Sequence, residues 1–193
     1  MMEKVKELNS PVYSDKPIGG SKVEAKRANE SRAVTSVHVL PSDTNNHGTF
    51  FGGKLMMYVD NIAAISAMRH ARQLVVTASI DSVDFLYPIK VGSSVCLEAI
   101  VTWTHHTSME VFVKIITEDL MSSERTLCTT CFLTFVALGD DGKPVSVPKV
   151  IPESEEEKLL YNSAEKRYLH RKSRRSETKT FASNVSLERP WDR

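Results

Sequence analysis

Between residues 33 and 40, Val37 and Val39 alternate with Ser36 and His38, a period of two that predicts a β-strand closed by Pro41. From residue 54 to 70 the period lengthens: Leu55, Val59, Ile62 and Ser66 fall on one helical stripe, and the run is nearly all apolar through Met68. This predicts a buried central helix, with His70 and Arg72 at the negative end of its macrodipole. Alternation then returns in runs at residues 75–85, 94–104, 110–118 and 125–138. Val95, Leu97, Ala99, Val101 and Trp103 share one predicted face, as do Val111, Val113 and Ile115, and the short HHTS between these two runs predicts a hairpin. One strand, a long helix and four consecutive strands give an α+β plan, an antiparallel sheet wrapped round a helix.

The flanks read differently. Residues 1–30 are polar and carry Pro11, Pro17 and Gly19-Gly20, which predicts a flexible arm with a helical turn near Glu24. The domain itself spans residues 31–150. Acids followed by bases across ESEEEKLLYNSAEKRYLHRKSRR predict a C-terminal helix within residues 151–175, from about Glu153 to Lys172. Residues 176–193 have no core-building period and are expected to be a disordered tail or to dock on a partner subunit.

A chain of 193 residues with 41% hydrophobic positions suits one domain with extensions. Its formal net charge of +1 argues against whole-domain attraction to nucleic acid, although bases crowd toward the C-terminus. Cys96, Cys128 and Cys131 are odd in number and lack metal-ligand spacing, so they read as buried thiols in a reducing compartment. MMEKVKELNS has no apolar core, and no window reaches 18 uninterrupted apolar residues, so the expectation is a cytoplasmic protein without a membrane partner. His105 and His106 have no cysteine or carboxylate at metal spacing, so no metal is expected.

Candidate chemistry concentrates in residues 41–72. Asp60 is the one acid of the apolar helix, and helical spacing places Met56, Ala63, Ala64 and Ala67 beside it. Three alanines in four neighbours make a smooth face where another segment or a slender ligand could approach. The same spacing fits a carboxylate that bonds a backbone group or faces solvent. Before the helix, DTNNHG supplies amides and the imidazole of His47, and the first N–H groups at Gly52, Gly53 and Lys54 suit a developing negative oxygen. Ordinary loop capping by Asp43 or Asn45, with an exposed His47, fits that composition as well.

The segment DTNNHGTFFGGKLMMYVD, the later run TASIDSVDFLYPIKVG and the hairpin HHTSM resemble hotdog-fold acyl-CoA thioesterases of the cytosolic and brain acyl-CoA hydrolase type and their bacterial single-domain relatives. The likeness spans about residues 33–138, with the motifs in the expected order. It implies a hotdog fold and hydrolysis of acyl-CoA to free acid and CoA, with no cofactor beyond the CoA of the substrate. Asp60 matches the family's catalytic acid, as base or nucleophile, and Asn45 the residue that holds thioester or water. The two meet across subunits, so the resemblance implies a homodimer as the minimum active unit and makes a trimer of dimers the expected assembly. Gly53 N–H, with Gly52 beside it, is the expected oxyanion donor, and Met56 and Ala64 flank the acyl or pantetheine path. Thr107 and Ser108 match a hairpin that contacts CoA in relatives. Arg69, Arg72, Lys90 and the cluster from His170 to Arg175 are candidates for the CoA phosphates, and the cluster also fits a solvated helix end. His47 departs from the small residues usual at its position. Two other readings stay open: an enoyl-thioester hydratase or dehydratase using His47 with Asp60, and a non-catalytic acyl-CoA-sensing module, for which no DNA-binding helix-turn-helix is present.

Overall fold

The computed structural model describes residues 24–189 and 191, so most of the N-terminal arm lies outside the described residues. The last residues of the predicted arm, Lys26 to Glu30, belong to the folded body. A short strand β1 (Lys26–Arg27) pairs in parallel with β7 (Val150–Ile151), and a 3-10 turn at Ala28–Ser31 buries Ala28 and Ser31. Ser31 has a structural task there: its hydroxyl accepts from Val101 N–H at 2.9 Å and donates to the Ala28 carbonyl. Strand β2 (Ala33–His38) pairs only as far as Ala33 with Ala99, so Ser31 satisfies a donor that lies past the end of the ladder.

The long helix α1 (Gly52–Ala71) packs on one face of a five-stranded antiparallel sheet built from β2, β3 (Leu74–Phe85), β4 (Ser94–Thr104), β5 (Ser108–Glu118) and β6 (Arg125–Leu138). The strand order is β2-β4-β5-β6-β3, which leaves β2 and β3 as edges. The helix buries the predicted stripe of Leu55, Val59, Ile62 and Ser66, together with Ala63 and Ala67. Facing it, Val95, Leu97, Ala99, Val101, Val111, Val113 and Ile115 are all fully buried. This is the hotdog arrangement of a sheet around a central helix. Trp103 departs from the predicted face. A register shift between Val101 and Trp103 sets Trp103 opposite Glu110, on the other side of the sheet. An extra residue in one strand inverts the alternation beyond it.

The second helix, α2 (Glu155–Ala182), covers that other side. Ser154 and Glu157 form a capping box at its start. The helix runs on past residue 175 into the predicted tail, because the intervening residues contain neither proline nor glycine and Thr178 and Thr180 bond carbonyls one turn back. Tyr168 packs on Trp103 with ring centroids 5.2 Å apart, and Arg167 lies over the Phe132 ring at 4.2 Å. No helix among the described residues is long and apolar enough to cross a membrane. Cys96, Cys128 and Cys131 are all free thiols, and burial pushes the Cys131 thiol up to about 12.

His70 is not a surface charge at the helix end. It is fully buried, and its Nε2 lies 2.9 Å from the Pro148 carbonyl, which can only accept, so Nε2 carries the proton. Nδ1 has no partner, and protonating it would bury an unanswered donor. Burial accordingly lowers the imidazole pKa from its ordinary 6.5. A depressed folded-state value means that the unfolded chain binds the extra proton first, so this stability is present above about pH 6.5 and is lost as pH falls through the lower folded value. Thermal melts of the wild type should therefore lose midpoint as pH falls below about 6.5, and His70→Asn, which cannot protonate, should flatten that slope. An identical slope in the variant would contradict the assignment.

Candidate active site

The helix α1 begins at Phe51 without a side-chain cap, so its first N–H groups, at Gly52, Gly53 and Lys54, have no intrahelical acceptor. A side chain at Gly53 would bring its Cβ to 2.7 Å from the exposed Phe51 ring, which would have to swing aside. The preceding loop is closed on itself. The Asn45 side-chain carbonyl accepts from His47 N–H at 2.9 Å, and its amide nitrogen donates to Thr49 Oγ1 at 3.0 Å. Gly48 takes a positive φ of 71° at the tip of the turn, a conformation glycine adopts without strain. His47 is exposed. The capping role that composition allowed for Asn45 is therefore present within the single chain.

Asp43 fastens this loop to the helix. It is buried, accepts from Leu40 N–H at 2.9 Å and is ion-paired with Lys54 in the first turn of α1. The Lys54 ammonium, then the Leu40 N–H, holds the Asp43 carboxyl below its ordinary range. Beside this anchor, Asn45, Gly52 and Leu55 share an open depression with Phe85, Leu86, Tyr87 and Ile89 from the end of β3 and the turn after it.

Asp60 lies about 12 Å further along the helix axis, at 1.5 Å per residue from Gly52, and is not among the residues of that depression. It is half-buried on the flank of α1 that faces β3, where Thr77 Oγ1 donates to Asp60 Oδ1 at 2.8 Å. Oδ2 takes no hydrogen bond among the described residues. The alanine face is narrower than helical spacing implied: Ala63 and Ala67 are fully buried against the sheet, and Ala64 and Met56 are half-buried and pack against the core. Thr77 escaped the sequence reading because a threonine in a strand carries no signal of its own; only the strand order puts it beside the helix acid.

A second feature joins residues distant in sequence. Thr107 and Ser108 of the β4–β5 hairpin line one groove with Arg171, Lys172, Arg174 and Arg175 of α2. His105 stacks on Tyr168 at 4.9 Å on the same wall. Arg69 and Arg72 do not reach it. Arg69 donates to the Arg32 carbonyl, and Arg72 ends α1 in a left-handed conformation, with φ of 55°. Lys90 pairs through its backbone with Thr49 and lies elsewhere too.

Comparison with known proteins gives consistent findings. The Thioesterase superfamily model matches residues 47–124. The uncharacterized acyl-CoA thioester hydrolase YkhA of Bacillus subtilis is 55% identical over 168 residues, covering 87% of this chain and 98% of its own. An acyl-CoA hydrolase from Staphylococcus aureus, solved with butyryl-CoA, CoA and CoA disulfide, superposes with a TM-score of 0.80 at 47% identity, over 82% of this chain and 97% of that one. Asp→Ala, Thr→Ala and Asn→Ala variants of that enzyme have also been solved. A hexameric acyl-CoA thioesterase matches with a TM-score of 0.77 at 50% identity, over 79% of this chain and 97% of its own.

The anchor between loop and helix makes a prediction of its own. A carboxyl held below its ordinary pKa contributes stability above the unfolded value and loses it as pH falls through the folded one. Lys54→Met should therefore melt below the wild type near neutrality, and the difference should shrink as pH falls from about 6 to about 3. A difference independent of pH would show that Lys54 acts by packing alone.

Proposed function

The chain belongs to the acyl-CoA thioester hydrolases of the thioesterase superfamily, hydrolysing acyl-CoA to free acid and CoA, and we propose that Asp60 is the catalytic carboxylate, oriented by Thr77. The observation that carries this reading is the 2.8 Å hydrogen bond from Thr77 to Oδ1, which fixes the carboxylate and leaves Oδ2 for a water. Asp60 takes a proton from that water as the oxygen attacks the thioester carbonyl. The resulting oxyanion meets the uncapped Gly53 N–H of a second copy, since Gly53 of the same helix lies about 10 Å from Asp60 along the axis. Collapse expels the CoA thiolate, which takes up the proton held by Asp60. A thioester is already activated, so a positioned base and an oxyanion donor, each contributing about 10² to 10⁴ in rate, suffice.

The intervals in the Staphylococcus aureus variants support the assignment. Their mutated Asn, Asp and Thr are separated by fifteen and then seventeen positions, as Asn45, Asp60 and Thr77 are here. Within one chain Asn45 and Asp60 lie apart, so the complete site calls for a second copy. The edge strand β3 supports such a partner: it is twelve residues long and exposes Leu74, Val76, Ile80 and Phe85. Thr77 stands near one end of β3 and the Asn45 depression at the other. A two-fold antiparallel pairing of β3 with its copy would bring the Asn45 loop of one protomer to the Asp60–Thr77 pair of its partner. Three such dimers in a hexamer is the proposed assembly, by analogy with the hexameric relative.

CoA carries three phosphates, and the groove between Thr107, Ser108 and the α2 cluster is the proposed site for them, in place of Arg69 and Arg72. The three free thiols suit a cytoplasmic location.

Free-thiol release from acyl-CoA of several chain lengths tests the assignment. Asp60→Asn should lower kcat by about 10² to 10⁴, and Thr77→Val by a smaller factor, with both variants retaining the wild-type melting profile. Wild-type rates in Asp60→Asn would remove Asp60 from the chemistry.

A further inference from the structure

Glu110 and Asp81 project from the outer side of the sheet into the basic residues of α2. The Glu110 side chain is fully buried. It accepts from Thr102 Oγ1 at 2.9 Å, from Arg167 Nη2 at 2.7 Å and from Arg171 Nη1. Asp81 accepts from Thr134 Oγ1 at 2.6 Å and from Arg174 Nη2 at 2.7 Å, and Arg171 Nε lies 3.5 Å from it. Arg171 thus spans both carboxylates. Ion pairs this deep contribute little net stability over apolar side chains of the same shape, so fastening α2 does not by itself require them. Fixing the direction of a guanidinium does.

The arginines divide accordingly. Arg167 commits all three of its nitrogens within the protein, to Glu110, to Ser163 and to the Leu160 carbonyl. Arg171 spends Nε and Nη1 on the two carboxylates, and its Nη2 takes no partner among the described residues. Arg174 gives one hydrogen from each terminal nitrogen to Asp81, at the carboxylate and at the backbone carbonyl, and keeps the second. Both Arg171 and Arg174 line the groove that also holds Thr107 and Ser108. Three arginines against two carboxylates leave an excess positive charge beside the groove that Arg171 and Arg174 line.

We infer that Asp81 and Glu110 are positioning residues for the phosphate-bearing end of the acyl-CoA, acting through Arg171 and Arg174. The inference rests on the assignment of the groove to CoA. Held guanidinium groups lose little rotamer freedom on binding, and their remaining N–H donors meet phosphate oxygens from fixed positions better than mobile ones. Neither carboxylate touches the thioester, so their effect is confined to recognition of the nucleotide.

Steady-state kinetics on butyryl-CoA and on butyryl-pantetheine, which lacks the nucleotide and its phosphates, test this. Asp81→Asn should raise KM for butyryl-CoA by about tenfold, the loss of one well-placed charge-assisted contact, with kcat and all butyryl-pantetheine kinetics unchanged. Glu110→Gln should act in the same direction. Should burial of an unbalanced Arg167 unfold that variant, Asp81→Asn alone decides, since Asp81 is nearer the surface. Parallel losses on both substrates, or no change on either, would overturn the positioning role. A wild type that hydrolyses both substrates with equal kcat/KM would overturn the groove assignment beneath it, and the absence of any hydrolysis would overturn the activity itself.

Discussion

The sheet stops at β3, and much of the chemistry follows from where it stops. An edge strand has an unpaired row of backbone groups on its outer side, and here that strand lies directly beside the flank of α1 that carries Asp60. Thr77, on the edge strand, holds the carboxylate, so the acid stands at the boundary of the protomer and not in its interior. A charge placed in the core would take up a proton or need a buried counter-charge. At the edge it needs only one hydroxyl and access to water. The apolar side chains exposed along β3 mark the same boundary as a surface that a second copy would cover.

The two faces of the sheet do separate work. The inner face, lined by valines, alanines and leucine against α1, fixes the helix axis and with it the placement of Asp60 beside β3. The outer face carries a buried glutamate and a row of aromatic side chains against α2, and gathers a cationic groove at the hairpin. On the proposed assignment, acyl and thioester chemistry would fall to one side of the fold and phosphate recognition to the other, with the pantetheine arm running between them past the edge. The Asp43–Lys54 pair and the self-bonded Asn45 loop keep the helix start rigid, which an oxyanion donor requires.

Local periodicity made the helix and the sheet strands legible in the sequence, because each depends on neighbours within a few positions, and their order gave the plan of a sheet round a helix. The stripe of Leu55, Val59, Ile62 and Ser66 is buried as its spacing implies. Features set by tertiary pairing were not legible. Trp103 changes face because of a bulge with no mark in its composition. Thr77 meets Asp60 through strand order alone, and Thr107 meets Arg171 only because α2 lies back across the sheet. Residues 24–30 read as part of a flexible arm, yet Lys26 and Arg27 pair with Val150 and Ile151 and Ala28 is buried. His70 carries the signature of a helix-end cation and is instead a neutral core imidazole, since Pro148 folds over it.

The claim on which the rest turns is that one active site is assembled from two chains at the β3 edge. Co-refolding or co-expressing Asn45→Ala and Asp60→Ala subunits tests it directly. Each variant alone should be nearly inactive, and mixed assemblies should recover thiol release, since a fraction of interfaces would then hold an unaltered Asn45 loop opposite an unaltered Asp60–Thr77 pair. Mixed assemblies that form, as shown by mass spectrometry, and stay as inactive as the parents would contradict the account.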